Sequence, residues 1–285
     1  PAAYAAENAS VGTGGAQTGL TGEGTTTNPY GDIVGTNLMN GSVTGNTLTV
    51  GTSGSGNIPV VNGTISAGGT VTTNAAVTGN TLFLNSALLT GNAYGGIGLN
   101  ITQTSGAAQS NPNAVKMSGG TVHGAVIGVR STAGGVTTGE AEFSGGTVNA
   151  GANGIAIAGG MGKTSAINSD VTITGGTLGK VYGGYTEAAD GTTNNNTVTL
   201  AGGTVTGTVS GGNRTADGNT LNVNTAARVG RIENFEKVTF KDAASKLTLT
   251  DTGTFNLNTL EAGFDATVNE ATLVESANAL TLAGG

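Results

Sequence analysis

The six residues Val43-Thr44-Gly45-Asn46-Thr47-Leu48 return unchanged at Val77-Thr78-Gly79-Asn80-Thr81-Leu82, and a shortened copy stands at Gly218-Asn219-Thr220-Leu221. A second unit, Gly-Gly-Thr followed by Val or Leu, begins at Gly68, Gly119, Gly145, Gly175 and Gly202. Its later steps are 26, 30 and 27 residues, and the first, 51 residues, is close to two such steps. A period of roughly 25 to 30 residues is the length of a β-solenoid coil and too short for a propeller blade of about 40. One coil cannot bury its own apolar face, so a chain with this period must stack its repeats.

The segment Asn196 to Gly212 reads as one coil. Thr197-Val198-Thr199-Leu200 alternates as a strand with Val198 and Leu200 on one face. Ala201-Gly202-Gly203 supplies a bend, Thr204-Val205-Thr206 a second strand, and Gly207 a corner. Thr208-Val209 is a third short strand and Ser210-Gly211-Gly212 the exit, which makes a triangular coil with Val and Leu inside. The inward positions expected on this pattern are Leu48, Leu82, Leu84, Val122, Val148, Ile173, Val198, Leu200, Val205, Leu221 and Val223. Insertions such as Thr186 to Asn194 should bulge from one corner.

Composition agrees. The chain holds 53 Gly, about 50 Thr and about 30 Asn, with no Cys and no Trp. Thr packs well on a pleated surface, and Gly and Asn tolerate the positive φ of tight turns. Disorder is the competing reading for low complexity, but 36% apolar residues and a net charge of only −7 oppose it. The expected fold is therefore all-β: a right-handed parallel β-solenoid (β-helix) of roughly ten coils, about 50 Å long at the usual strand spacing of about 4.8 Å.

Charge is uneven. Ile33 to Val115 contains no Asp, Glu, Lys or Arg, whereas Arg228 to Glu275 is charge-rich and poorer in Gly. The division this suggests is a polar leader or N-terminal cap at 1–27, the solenoid at 28–225, and more charged C-terminal coils or a cap at 226–285, all in one rod. Ala3-Tyr4-Ala5 before Ala6 has the small-x-small form that ends a secretory signal peptide, and the start is read as the stub of one. No apolar stretch approaches the roughly 20 residues that span a bilayer as a helix.

Asn195-Asn196-Thr197-Val198, Ser144-Gly145-Gly146-Thr147-Val148 and Tyr182-Gly183-Gly184 precede Val229-Gly230-Arg231-Ile232-Glu233-Asn234-Phe235-Glu236. In this alternation of Asn-Thr-Val strands with Ser-Gly-Gly and Tyr-Gly-Gly turns, closed by an Asn-Phe-Glu step and by Ala271-Thr272-Leu273-Val274-Glu275, the chain resembles the passenger region of Gram-negative autotransporters. The resemblance covers roughly Gly41 to Ala283. It implies a right-handed solenoid, export and surface display. It implies no particular activity, since passengers serve as adhesins, aggregation factors, proteases or esterases. Autotransporters also carry a C-terminal membrane barrel of alternating strands with aromatic girdles. With 4% aromatics this sequence shows none, so the expectation is a released passenger or a solenoid put to another use.

Catalytic chemistry is poorly provided for. Ser53 in Gly51-Thr52-Ser53-Gly54-Ser55-Gly56 would need a base, and His123, the single His, occupies a repeat position where other coils place Asn149, Gly179 and Thr206. Glu140 and Glu142 share one strand face at a spacing suited to glycoside cleavage, yet a solvated strand face explains them better. Asp190 and Asp217 occur singly, without a calcium-binding repeat, and turn chemistry accounts for both. An acidic balance of 17 against 10 without a basic stripe disfavours nucleic acid. Thr-x-Thr pairs such as Thr47/Thr49, Thr172/Thr174, Thr197/Thr199 and Thr248/Thr250 raise an ice-binding array, against which the uneven coil lengths argue. No catalytic, metal-binding or cofactor-binding residue is assigned and no cofactor is expected. The reading is a non-enzymatic extracellular structural or adhesive solenoid at the outer surface of a Gram-negative-type bacterium. Its partner is a host or neighbouring cell surface, or a second copy docked head to tail. A subunit of an end-to-end filament is the alternative, and a polysaccharide-active β-helix enzyme a distant one.

Overall fold

The computed structural model of the chain describes residues 3–4, 9–12, 20–35, 43–54, 56, 58–70, 76–101, 111–149, 154–214, 217–241, 244–249, 272–276 and 279–283. All the regular structure among them is strand, and the strands stack coil upon coil as a parallel β-solenoid. One coil runs through Asn113–Met117, Thr121–Val122 and Val126–Ser131 before the next begins at Gly139–Phe143. These three strands belong to three sheets, here called the alternating face, the corner face and the glycine face, of nine, six and nine strands.

The alternating face is where sequence pattern acts most directly. Its strands read polar-apolar-polar-apolar, and in-register pairing turns each position into a column. One inward column stacks Val171 on Val198 and Val198 on Leu221; the next stacks Ile173, Leu200 and Val223. Each is at most 1% exposed. Burying one such side chain contributes about 1.5–3 kcal/mol, so the columns supply the driving force for stacking. All eleven inward positions expected from the sequence are buried in this core.

Between the alternating and corner faces the chain turns in three residues. Gly120, Gly146, Gly176 and Gly203 sit there with φ of 90°, 92°, 75° and 73°, and the Thr-Val or Thr-Leu that follows is the next strand. The Gly-Gly-Thr steps of 26, 30 and 27 residues are thus coil steps: Thr121 pairs with Thr147, Thr147 with Thr177, and Thr177 with Thr204.

Two expectations need correction. Tyr182-Gly183-Gly184 is no turn but the middle of strand Lys180–Thr186, and Ser210-Gly211-Gly212 closes strand Thr208–Gly212 rather than leaving it. Gly68-Gly69-Thr70 likewise ends strand Ile65–Thr70 on the glycine face, so it is not the counterpart of the four corner units. The glycines are required by close approach. A Cβ on Gly95 would strike the backbone of Ala114, one on Gly128 the backbone of Glu140, and one on Gly183 the Cβ of Asn196. Glycine and alternating faces meet backbone to backbone along this line, where any side chain would force them apart.

The Asn of Gly-Asn-Thr-Leu has its own column. Asn46, Asn80, Asn113, Ser169, Asn196 and Asn219 stand just before the alternating strands, all at most 4% exposed. Asn46 N–H donates to Asn80 Oδ1 at 3.0 Å, Ser169 N–H to Asn196 Oδ1 at 3.0 Å, and Asn196 N–H to Asn219 Oδ1 at 2.8 Å. The amides also reach back one coil: Asn113 Nδ2 donates to Val77 O at 2.9 Å, Asn196 Nδ2 to Ala166 O at 3.1 Å, and Asn219 Nδ2 to Thr193 O at 2.9 Å. The column ends at the Asn-Phe-Glu step, where the Glu236 carboxylate accepts from Asn219 N–H at 2.6 Å and Phe235 is buried. The residue before the rung adopts a left-handed φ at Gly45, Gly79 and Gly218, and also at Thr138, Asn168 and Asn195, which accounts for Gly or Asn at that place.

The last side of the coil links the glycine face to the next alternating strand. It carries a fourth, shorter stack, pairing Val43–Thr44 with Val77–Thr78 and Val136–Thr137 with Ala166–Ile167, over a small core of Val77, Ile101, Val129, Val136 and Ala166. The triangular coil therefore has a fourth edge. At the two ends, Ala3–Tyr4 and Ser10–Val11 provide the first strands of the nine-stranded sheets. After Lys246–Leu249 the parallel run stops, because Ala279–Ala283 pairs antiparallel with that strand and with Thr272–Ser276.

Candidate interaction surface

Chain length varies mostly at this fourth edge. Between the end of a glycine-face strand and the next alternating strand lie 10 residues after Thr70, 14 after Gly98, 7 after Ser131 and after Gly162, 10 after Thr186, and 3 after Glu233. The expected bulge from Thr186 to Asn194 leaves at this edge, and it is tied down: Ser165 bridges to Thr192, and Arg214 Nε donates to Ala188 O at 2.7 Å.

Beside these loops lies the outer side of the glycine face. Register aligns Tyr94, Ile127, Ala158 and Tyr182 in one outward column and Ile97, Arg130, Met161 and Tyr185 in the next. Tyr94, Ile127, Ala158 and Met161 are buried beneath the half-buried Ile97, Tyr182 and Tyr185 as a second apolar cluster, outside the main core. The Tyr182 and Tyr185 rings meet edge to face with centroids 5.2 Å apart. Glu187 anchors the loop side: its carboxylate accepts from Arg130 Nη2 at 3.0 Å and from Lys163 Nζ at 3.1 Å. Arg130 Nη1 also lies 3.2 Å from Met161 Sδ. Burial pushes the Tyr94 hydroxyl above its ordinary range, while the Arg130 charge beside it pulls the other way. Three of the five tyrosines, an arginine and a methionine therefore share one face, a composition typical of interface cores. Neighbouring coils alone bring Tyr94 and Tyr182 together, 88 residues apart in sequence. The signal available was the repeated Tyr-Gly-Gly at Tyr94 and Tyr182, which marks one position of the coil.

The outer alternating face is different in kind. Its columns run Thr81, Ala114, Glu140, Asp170, Thr197 and Phe83, Lys116, Glu142, Thr172, Thr199. Lys116 Nζ and Glu142 Oε1 are 3.3 Å apart, a solvated pair that contributes about 0–1 kcal/mol. Phe83, Lys116 and the carboxylates break the Thr array, so no flat ice-matching lattice extends across these coils. Glu140 and Glu142 do share the outward face, with Lys116 closing on Glu142.

Ser53 lies exposed in the corner after Thr47–Val50, and Ser55 falls outside the described residues. His123 follows corner strand Thr121–Val122, which is two coils further along the stack, about 10 Å away along the axis. The His123 ring contacts Asn149 at 3.2 Å, its counterpart one coil later. Asp190 and Asp217 stand in successive loops, Asp217 N–H donating to Asn194 Oδ1 at 3.0 Å. Among the described residues no three His, Cys, Asp or Glu side chains are grouped to hold a metal ion, and no helix is long and apolar enough to cross a membrane. Ala5, Ala6, Asp242, Thr250, Asp251, Glu261, Asp265, Glu270 and Ala271, which the sequence reading drew on, lie outside the described residues. No family model matches the chain, and neither does any curated protein or solved structure.

Proposed function

We propose that the chain is a non-enzymatic structural and adhesive module of the autotransporter-passenger kind. It is displayed at or released from the surface of a Gram-negative-type bacterium, and it grips its partner through the fourth edge and the tyrosine-bearing face beside it. The observation that supports this reading most is the gathering of length variation at one edge of an otherwise constant coil, next to the Tyr–Arg–Met face. Solenoids place recognition on such loops because the stacked coils hold them in a fixed row.

The end-to-end filament is the second reading. Favouring it, the first coils are free of charge from Ile33 to Val115. Opposing it, the last strands of the two large sheets carry Arg231, Glu233 and Lys237, and charges on an edge strand oppose further strand addition. The parallel run also gives way to an antiparallel hairpin. Isolated rods are the form expected.

The test combines imaging and adhesion. Electron microscopy of the intact chain should show separate short rods; continuous fibres would transfer the case to the filament. Beads coated with the chain should attach to cells, and the Tyr182→Ser/Tyr185→Ser variant should lose most of that attachment. Unchanged attachment would remove the surface assigned here, and release of reducing ends from a polysaccharide panel would overturn the non-enzymatic reading.

A further inference from the structure

One interface between coils differs from the others on two of its faces and in its buried column. It joins the coil beginning at Gly139–Phe143 to the coil beginning at Asp170–Ile173.

In the buried column, the rung here is Ser169 rather than Asn. Its hydroxyl accepts from Gly139 N–H at 3.2 Å and turns back to Ile167 O at 3.3 Å within its own coil. The reach-back bond that Asn113, Asn196 and Asn219 make to the preceding coil has no counterpart from this side chain. On the glycine face, strand Ile155–Gly162 meets Lys180–Thr186 with a register shift between Ile155 and Ile157. On the outer alternating face, Glu140 is stacked directly on Asp170, with Glu142 two residues along. Like charges directly opposite one another across strands destabilise the pairing.

We propose that this interface is an acid-tightened seam, the place where the rod opens first as carboxylates ionise. The surroundings of the stacked pair leave little to neutralise it. Facing Glu140 are Asp170 on the following strand, Glu142 on its own, and Lys116 on the preceding one, and Lys116 is already 3.3 Å from Glu142. The glycine face opposes it at Gly128, where there is no side chain. Asp170 has the Thr197 hydroxyl as its hydrogen-bond partner on the following strand and the bare Gly159 behind it. Loss of hydration, then repulsion from Asp170 and Glu142, pushes the Glu140 carboxyl above the usual range, and loss of hydration does the same for Asp170. A carboxyl whose pKa is higher folded than unfolded binds more protons in the folded state. Its contribution is favourable at low pH and is lost as pH rises from the ordinary value near 4 through the raised one.

Hydrogen exchange of the intact chain between pH 5 and 8, with each amide corrected for its intrinsic rate, tests this. Protection in strands Gly139–Phe143 and Asp170–Ile173 should fall with rising pH relative to strand Thr220–Val223. Glu140→Gln should raise protection at pH 7 by about tenfold for each pKa unit relieved and flatten the pH dependence. Asp170→Asn should act in the same direction, and Ser169→Asn should raise protection at every pH. Protection that changes equally in all three strands, or Glu140→Gln behaving as the parent, would overturn the proposal.

Discussion

Two coils of the same rod solve one packing problem in opposite ways. Where the coil begins at Asn196, the facing residue of the glycine face is Gly184, and a Cβ there would meet the Asn196 amide. Where the coil begins at Gly139, the facing residue is Val129, and a Cβ on Gly139 would meet the Val129 side chain and the Gly159 carbonyl. The space between the faces holds an amide or a valine, never both. The first solution links coils by directed hydrogen bonds. The second adds Val129 to the small core with Val136 and Ala166 and gives up the amide rung. The difference teaches that this solenoid does not have one repeating interface. Its coil junctions are individually balanced, and the junctions around Gly139 depend more on apolar contact and less on the polar column.

The largest blow to the regular side should come from Val198→Asp. Val198 is fully buried between Val171 and Leu221, and an unpaired charge there has no partner. Thermal melting should show a loss of about 4 kcal/mol or no cooperative transition; a melt matching the parent would invert the inside–outside assignment. Next is Asn196→Ala. It strands the Ser169 N–H and the Ala166 carbonyl, at about 1–3 kcal/mol each, so denaturant unfolding should lose about 2–5 kcal/mol. Ser169→Ala strands only the Gly139 N–H and should lose about 1–3 kcal/mol. Equal losses for the two would erase the contrast between the coils. The smallest effect is a gain. Thr138 holds φ at 57° just before Gly139, a conformation costly for a β-branched residue. Thr138→Gly should raise stability by about 1 kcal/mol, and a lower melting temperature would show that the threonine is needed there.

Much of this was legible because period-2 alternation and glycine corners are local. Leu200 inward and Gly203 at a bend follow from their immediate neighbours. Tyr182-Gly183-Gly184 was misread because a glycine forced by another face looks, in sequence, like a glycine forced by its own φ. The Asn column showed as a repeated motif, but its meaning needed the register that sets Asn196 beneath Asn219. Likewise the Tyr94–Tyr182 surface and the Glu140–Asp170 stack exist only through coil-to-coil register, and unequal loops hide that register from a linear reading.

That register is the central claim, and a chain without cysteine allows it to be measured directly. Thr172 and Thr199 are paired on adjacent coils, while Asn222 stands one coil beyond Thr199. Cα atoms of adjacent paired strands are about 4.8 Å apart, inside the disulfide range of about 4.4–6.8 Å, and two coils span about 10 Å. Under mild oxidation Thr172→Cys/Thr199→Cys should form an intramolecular disulfide nearly completely, with the fold retained, and Thr172→Cys/Asn222→Cys should form none. Ready closure of the second pair, or failure of the first in a folded chain, would contradict the stack described here and with it the column, the surface and the seam.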